Sequence, residues 1–114
     1  MTDDLVTFLS ARLDEDEQIA READPDLSAV FTRIECFDTE MAADERHIMA
    51  HGPSRVLREI DAKRELLSRY EAMTAGLLVM TGVEAILAEY RRVLLPHLAL
   101  PYADHPDYRE EWRA

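Results

Sequence analysis

Only three glycines and five prolines punctuate 114 residues, and that scarcity of turn formers constrains the fold more than any other feature. A sandwich or barrel is assembled from many short strands joined by frequent turns, whereas a few long helices need few breaks. Hydrophobic residues at 47% and charged residues at 32% exclude a wholly disordered chain. The length suits one domain with a modest core. The expectation is all-α: a single helical domain over 1–114, a compact bundle of about four helices, with the Pro- and aromatic-containing segment 96–114 packing on it as a tail.

The charge is unevenly placed. The chain holds 24 acids and 13 bases, net -11; residues 1–45 contain 14 of the acids and 3 of the bases, and residues 46–114 contain 10 of each. An acidic half of this kind repels phosphates, which argues against direct binding to nucleic acid or to an anionic membrane and in favour of a basic protein partner. The single Cys36 has no partner for an internal disulfide, so the chain reads as intracellular, although one thiol can link two copies. The start is acidic where a signal peptide is basic. The longest charge-free run, Ala72 to Val83, is twelve residues, short of the roughly 20 a membrane span needs. A cytoplasmic protein is expected.

Thr2 can cap a first helix with Asp3 and Asp4 in its opening turn. Leu5, Leu9, Leu13 and Ala20 recur at helical spacing, with Val6 and Phe8 beside them, and Asp24-Pro25 is expected to end this helix, placing it at 3–23. Residues 26–38 fit a helical stripe through Leu27, Val30, Phe31, Ile34 and Phe37, with a short hairpin as the alternative because Val30, Thr32 and Ile34 alternate. A further helix starts at Asp38 or Thr39 and ends at Gly52. Pro53 suits the first position of the next helix. There Val56, Leu57, Ile60, Leu67 and Tyr70 form the buried stripe, and Arg55-Glu59, Glu59-Lys63 and Glu65-Arg69 are opposite charges four apart. The stretch from Leu77 to Leu95, apolar nearly all round at its start, is expected as a central helix stopped by Pro96, with Gly76 and Gly82 weakening it slightly. Its surplus apolar surface suits a homodimer. In the tail, Asp104-His105-Pro106-Asp107 reads as the cap and first turn of a short helix that places Tyr108 and Trp112 on one face, docked on the bundle.

The tail LALPYADHPDYREEWR, Leu98 to Arg113, is similar to the closing segment of a family of small actinobacterial and actinophage proteins of unknown function (domain of unknown function 6221). DLVTFLSARLDEDEQIAR, Asp4 to Arg21, resembles that family's acidic first helix, and HIMAHGPSRVLREIDAKRELL, His47 to Leu67, its central segment. Together these cover roughly half the chain. The resemblance implies an actinobacterial or phage source and brings no activity, cofactor or catalytic residue to transfer. Gly52 departs from the pattern, standing where an acidic cap precedes the proline. Pro25 to Arg46 and Ala72 to Pro96 lie outside the resemblance, in regions where relatives carry Trp- or Cys-containing segments.

Asp44, His47 and His51 form the sharpest chemical constellation. Their i, i+3, i+7 spacing puts a carboxylate and two imidazoles on one helical face, a pattern that can bind a divalent metal, with His97 or His105 as a distant fourth ligand. No glutamate follows the first histidine, so the zincin general base is missing. The commoner meaning of such histidines is hydrogen bonding near a helix C-terminus. Cys36 is flanked by Glu35, Phe37 and Asp38, surroundings that raise a thiol pKa rather than activate it, and reads as a buried small hydrophobe. Glu84 and Glu89 lack the partner of a di-iron motif. The chain has neither a nucleophile elbow nor a glycine-rich phosphate loop.

The functional expectation is a small, acidic, non-enzymatic binding or accessory protein without cofactor. Its partner-binding candidates are Asp14, Glu15, Asp16 and Glu17, whose commoner role is a solvated face, and the tail rings Tyr102, Tyr108 and Trp112. The second reading is a metal-binding protein or metal-dependent hydrolase using Asp44, His47 and His51. The third is an acidic mimic of nucleic acid that inhibits a nucleic-acid-binding protein.

Overall fold

The computed structural model describes residues 2–36, 42–78 and 80–113, and the side chains of all of these except 2, 28, 30, 31 and 33–36. Every regular element among the described residues is helical and none is a strand, so the all-α class holds. Among the described residues no helix is long and apolar enough to cross a membrane.

Helix α1 runs from Thr2 to Cys36, with Asp3 and Asp4 in its first turn against the positive end of the helix dipole. It was expected to stop before Pro25, and it continues through that residue. The pyrrolidine ring removes one backbone donor and strands the carbonyl of Arg21. Arg21, Asp24, Pro25 and Asp26 are all exposed, so the loss falls on the solvent side, where the carbonyl can be hydrated. On the opposite side Ala20, Ala23 and Leu27 line a cavity together with Pro53 and Val56. Residues 26–36 are helix rather than hairpin. The expected helix start at Asp38 or Thr39 falls outside the described residues, as do the side chain of Cys36 and all of Phe37.

Helix α2, Ala43–Ala50, is short. Ala42 precedes it in extended conformation and donates its N–H to Glu45 Oε1 at 3.2 Å, which is one half of a capping box. The helix ends at His51 (φ -113°, ψ 31°), one residue before the expected Gly52. Helix α3, Pro53–Thr74, starts where the proline suits the first helical position, and Val56 N–H donates to the Gly52 carbonyl at 3.1 Å. Ile60, Leu67, Tyr70 and Met73 are buried along one side. Arg55-Glu59 at 3.1 Å and Arg69-Glu65 at 3.2 Å line the exposed one.

The expected helix from Leu77 begins only at Val83. Gly76 (φ 74°) and Gly82 (φ 79°) both occupy the left-handed region, which a right-handed helix cannot contain and which glycine enters without a Cβ clash. At the end of α3, Gly76 N–H donates to Met73 and Leu77 N–H to Ala72, the paired bonds of a Schellman ending. Gly82 then precedes α4, Val83–Glu89. Nor does Pro96 stop the chain there, because 83–99 form one continuous helical rod. Between α4 and α5 (Leu95–Ala99) lies a π turn, Tyr90–Leu94, in which Leu95 N–H reaches back five residues to the Tyr90 carbonyl. That widened turn resets the ladder, so Pro96 falls in the first turn of a new α segment, where its missing donor is tolerated. A 3₁₀ turn, Leu100–Tyr102, follows. The expected tail helix is reduced to one further 3₁₀ turn, Glu110–Trp112, because residues 103–107 are spent on turns.

The chain divides into two compact units. One comprises Met1–Leu13 and Ala62–Ala114; the other is Asp14–Asp61. In the first, Leu5, Phe8, Leu9 and Leu13 of α1 are buried, as are Leu67, Tyr70 and Met73 of α3, Leu87, Tyr90, Leu95 and Ala99 of the rod, and Trp112. In the second, Ala20, Gly52, Pro53 and Ile60 are buried among the described residues.

Candidate functional site

The acidic unit, Asp14–Asp61, contains 14 acids against 5 bases, a net -9, which leaves the remainder of the chain at -2. Its charge is densest where α1 enters it. Asp14 and Glu15 are exposed and Asp16 and Glu17 half-buried; Arg21 Nε lies 3.6 Å from Glu17, and Gln18 Nε2 donates to Glu22 Oε1 at 3.0 Å. Carboxylates of this density stay at the surface because burying them without partners is too costly.

Beside the acids the same helix shows an apolar face. Asp16, Ile19, Ala20, Ala23 and Leu27 follow helical spacing and, together with His51, Pro53 and Val56, line a cavity of about 200 Å³. Small residues at 20 and 23 leave the space, and Ile19, 64% exposed, stands at its side. The polar groups lining it are one carboxylate and one imidazole. Such a site can accept an apolar group and a neighbouring cation; no nucleophile and base are paired in it. Periodicity alone assigns Ala20, Leu27 and Val56 to the core, and only the depth of coverage reveals a cavity among them. A second cavity of about 290 Å³ lies at the start of α3, lined by Asp24, Met49, Ala50, Gly52, Pro53, Ser54, Arg55 and Arg58. Arg55 is engaged there by Glu59 and by the Ala50 carbonyl at 3.0 Å.

The Asp44, His47 and His51 constellation is exposed throughout. The imidazole centroids of His47 and His51 are 4.7 Å apart, while Asp44 Oδ1 accepts the Glu45 N–H at 3.0 Å. His51 caps the end of α2, and its N–H still donates to the His47 carbonyl at 3.1 Å, so the two rings lie side by side. Among the described residues no three His, Cys, Asp or Glu side chains converge as metal ligands. In the other unit, His97 Nδ1 donates to the Val93 carbonyl at 2.7 Å. Glu84 and Glu89 are both exposed, and Glu89 accepts from Arg92 at 2.8 Å, which holds that guanidinium further above its ordinary pKa.

The tail rings gather around Phe8 of α1. Its ring centroid lies 5.0 Å from Trp112, 6.1 Å from Tyr108 and 6.3 Å from Tyr102, and Trp112 is only 8% exposed. Tyr108 and Trp112 meet edge to face at 5.7 Å despite lacking the expected helix. Arg12, one turn from Phe8, is buried. Its Nη1 approaches His105 Nδ1 at 2.9 Å and Asp107 at 3.9 Å, and its guanidinium lies 5.1 Å from the Phe8 centroid. Arg109 bonds Asp4 at 3.0 Å. Arg113 bonds Glu110, holding that carboxyl below its ordinary pKa. Sequence reasoning overlooked Arg12, although it lies on the Phe8 stripe at i+4, because a cation on an apolar stripe carries no sign that an imidazole 93 residues away will receive it.

The chain matches, over residues 2–114, the model of a family of unknown function (DUF6221), and it belongs to that family. No curated protein and no solved structure matches it.

Proposed function

We propose that the chain is a small, cytoplasmic, non-enzymatic binding protein that docks a basic protein through its acidic unit. The observation that carries this reading is the concentration of charge: the net -9 of Asp14–Asp61, densest at Asp14, Glu15, Asp16 and Glu17, directly beside an exposed isoleucine and an apolar cavity. A negative field of this kind draws in a positively charged partner and turns away phosphate polymers. In this reading the tail rings serve the chain's own packing, since they close around Phe8.

The test is affinity capture from extract of the source cells with wild type and with Asp14→Asn/Glu15→Gln/Asp16→Asn. Wild type should retain a basic protein that elutes as salt is raised, because screening shortens to within a few ångströms toward 1 M, and the triple variant should lose it. Capture of the same proteins by both forms would overturn the reading.

A further inference from the structure

Resting on that reading, we propose that the cavity of the acidic unit is an anchor pocket for one bulky aliphatic or aromatic side chain of the basic partner, carried on a segment whose cations meet the adjoining acids. Size comes first. At about 200 Å³ the space is close to the roughly 150 Å³ apolar cavity that accepts a benzene, and it falls below the roughly 300 Å³ at which small-molecule pockets begin. One side chain fills it. A cofactor or metabolite would also require several convergent polar groups, and the lining supplies Asp16 and His51.

Charge selects the kind of chain that carries the anchor. Residues 14–26 hold seven acids and one base, so lysines or arginines on either side of the anchor meet complementary charge. A second copy of this chain would bring the same -9 unit against its own likeness, a like-charge juxtaposition that disfavours it as occupant. Ile19, held 64% exposed within the acidic segment, supplies apolar surface at the pocket for the anchor to cover. The arrangement is an apolar centre within a charged surround, the layout of a binding hot spot.

The experiment uses the full chain and two labelled peptides: decalysine, and the same peptide with one central lysine replaced by phenylalanine. The phenylalanine peptide carries one charge fewer, yet it should bind at least tenfold tighter, a factor worth about 1.4 kcal/mol. Ala23→Leu fills the pocket and should erase that preference while leaving decalysine binding unchanged. Ile19→Ala, at a position 64% exposed, should reduce the preference severalfold. Equal affinity of the two peptides for wild type would overturn the anchor pocket and leave acidic docking standing. Failure of both peptides to bind at low salt would sink the acidic-docking reading itself, and the pocket with it. A dimer dissociated by Ala23→Leu would assign the pocket to a second copy and overturn the proposal.

Discussion

Helix α1 crosses from one unit to the other between Leu13 and Asp14, and its two stretches are used in opposite ways. Up to Leu13 the stripe of Leu5, Phe8, Leu9 and Leu13 is buried to 6% exposure or less, covered by aromatic and aliphatic side chains. Beyond Asp14 the same periodicity continues through Ala20, Ala23 and Leu27, but Ala23 and Leu27 are only half-buried and Ile19 is exposed. Helical spacing thus says which side of a helix turns inward; it does not say how completely that side is covered. Charge follows the same division, -2 against -9. The first unit covers its apolar stripe with its own side chains, and the acidic unit leaves part of its stripe exposed.

The comparison breaks most visibly if the tail is dispensable. Truncation after Leu100 removes Trp112, Tyr102 and Tyr108, each worth roughly 1.5–3 kcal/mol when buried, so the loss should be several kcal/mol and the melting temperature by circular dichroism should fall steeply. An unchanged melt would mean that the rings around Phe8 contribute nothing to the unit.

Two substitutions six residues apart on α1 sharpen the contrast further. Leu13, 1% exposed, should cost about 2–5 kcal/mol when changed to alanine; Ile19→Ala should stay within about 0.5 kcal/mol. Urea unfolding followed by the emission of the single tryptophan, Trp112, measures both, and equal losses would erase the distinction between the two stretches. Next in size, Gly82→Ala at φ 79° should cost about 1–2 kcal/mol from left-handed strain, although among the described residues nothing lies within 4 Å of the added Cβ.

Smaller effects probe the tail itself. Tyr108 Oη is buried with no hydrogen-bond partner among the described residues, so Tyr108→Phe should leave stability unchanged or raise it by up to about 1 kcal/mol; a clear loss would reveal a partner for the hydroxyl. The smallest is a titration. Arg113 lowers the Glu110 carboxyl pKa, so the pair's contribution is present above the ordinary carboxylate range and is lost as pH falls through the lowered value. Carboxyl chemical shifts in Arg113→Gln should show Glu110 returned to the usual range, and an unmoved titration would show that the pair does not persist.

Several readings from sequence failed for one shared reason. The sequence pattern makes Pro25 and Pro96 helix breakers and Gly76 and Gly82 mild weaknesses; in the structure the prolines are passed and the glycines do the breaking. A proline's lost bond is tolerable where its carbonyl partner faces solvent, as at Arg21, or where a π turn has reset the ladder, as before Leu95. Neither condition is written in the residues around it. A positive φ is likewise a property of the path between two elements, and α3 and α4 need such a path.

By itself the sequence determined the helical class, the start of α3 at Pro53, the buried faces of α1 and α3, the family and the position of the negative charge. These are local matters of turn-former frequency, period and count, set by residues within a few turns of one another. Tertiary structure alone decided that Arg12 would be buried against His105 and Asp107, that the tail rings would close on Phe8, and that a cavity would remain beside Ile19. Each of those depends on which distant side chains cover a face and how fully they do so, and packing between segments far apart in the chain is the term that a one-dimensional pattern does not contain.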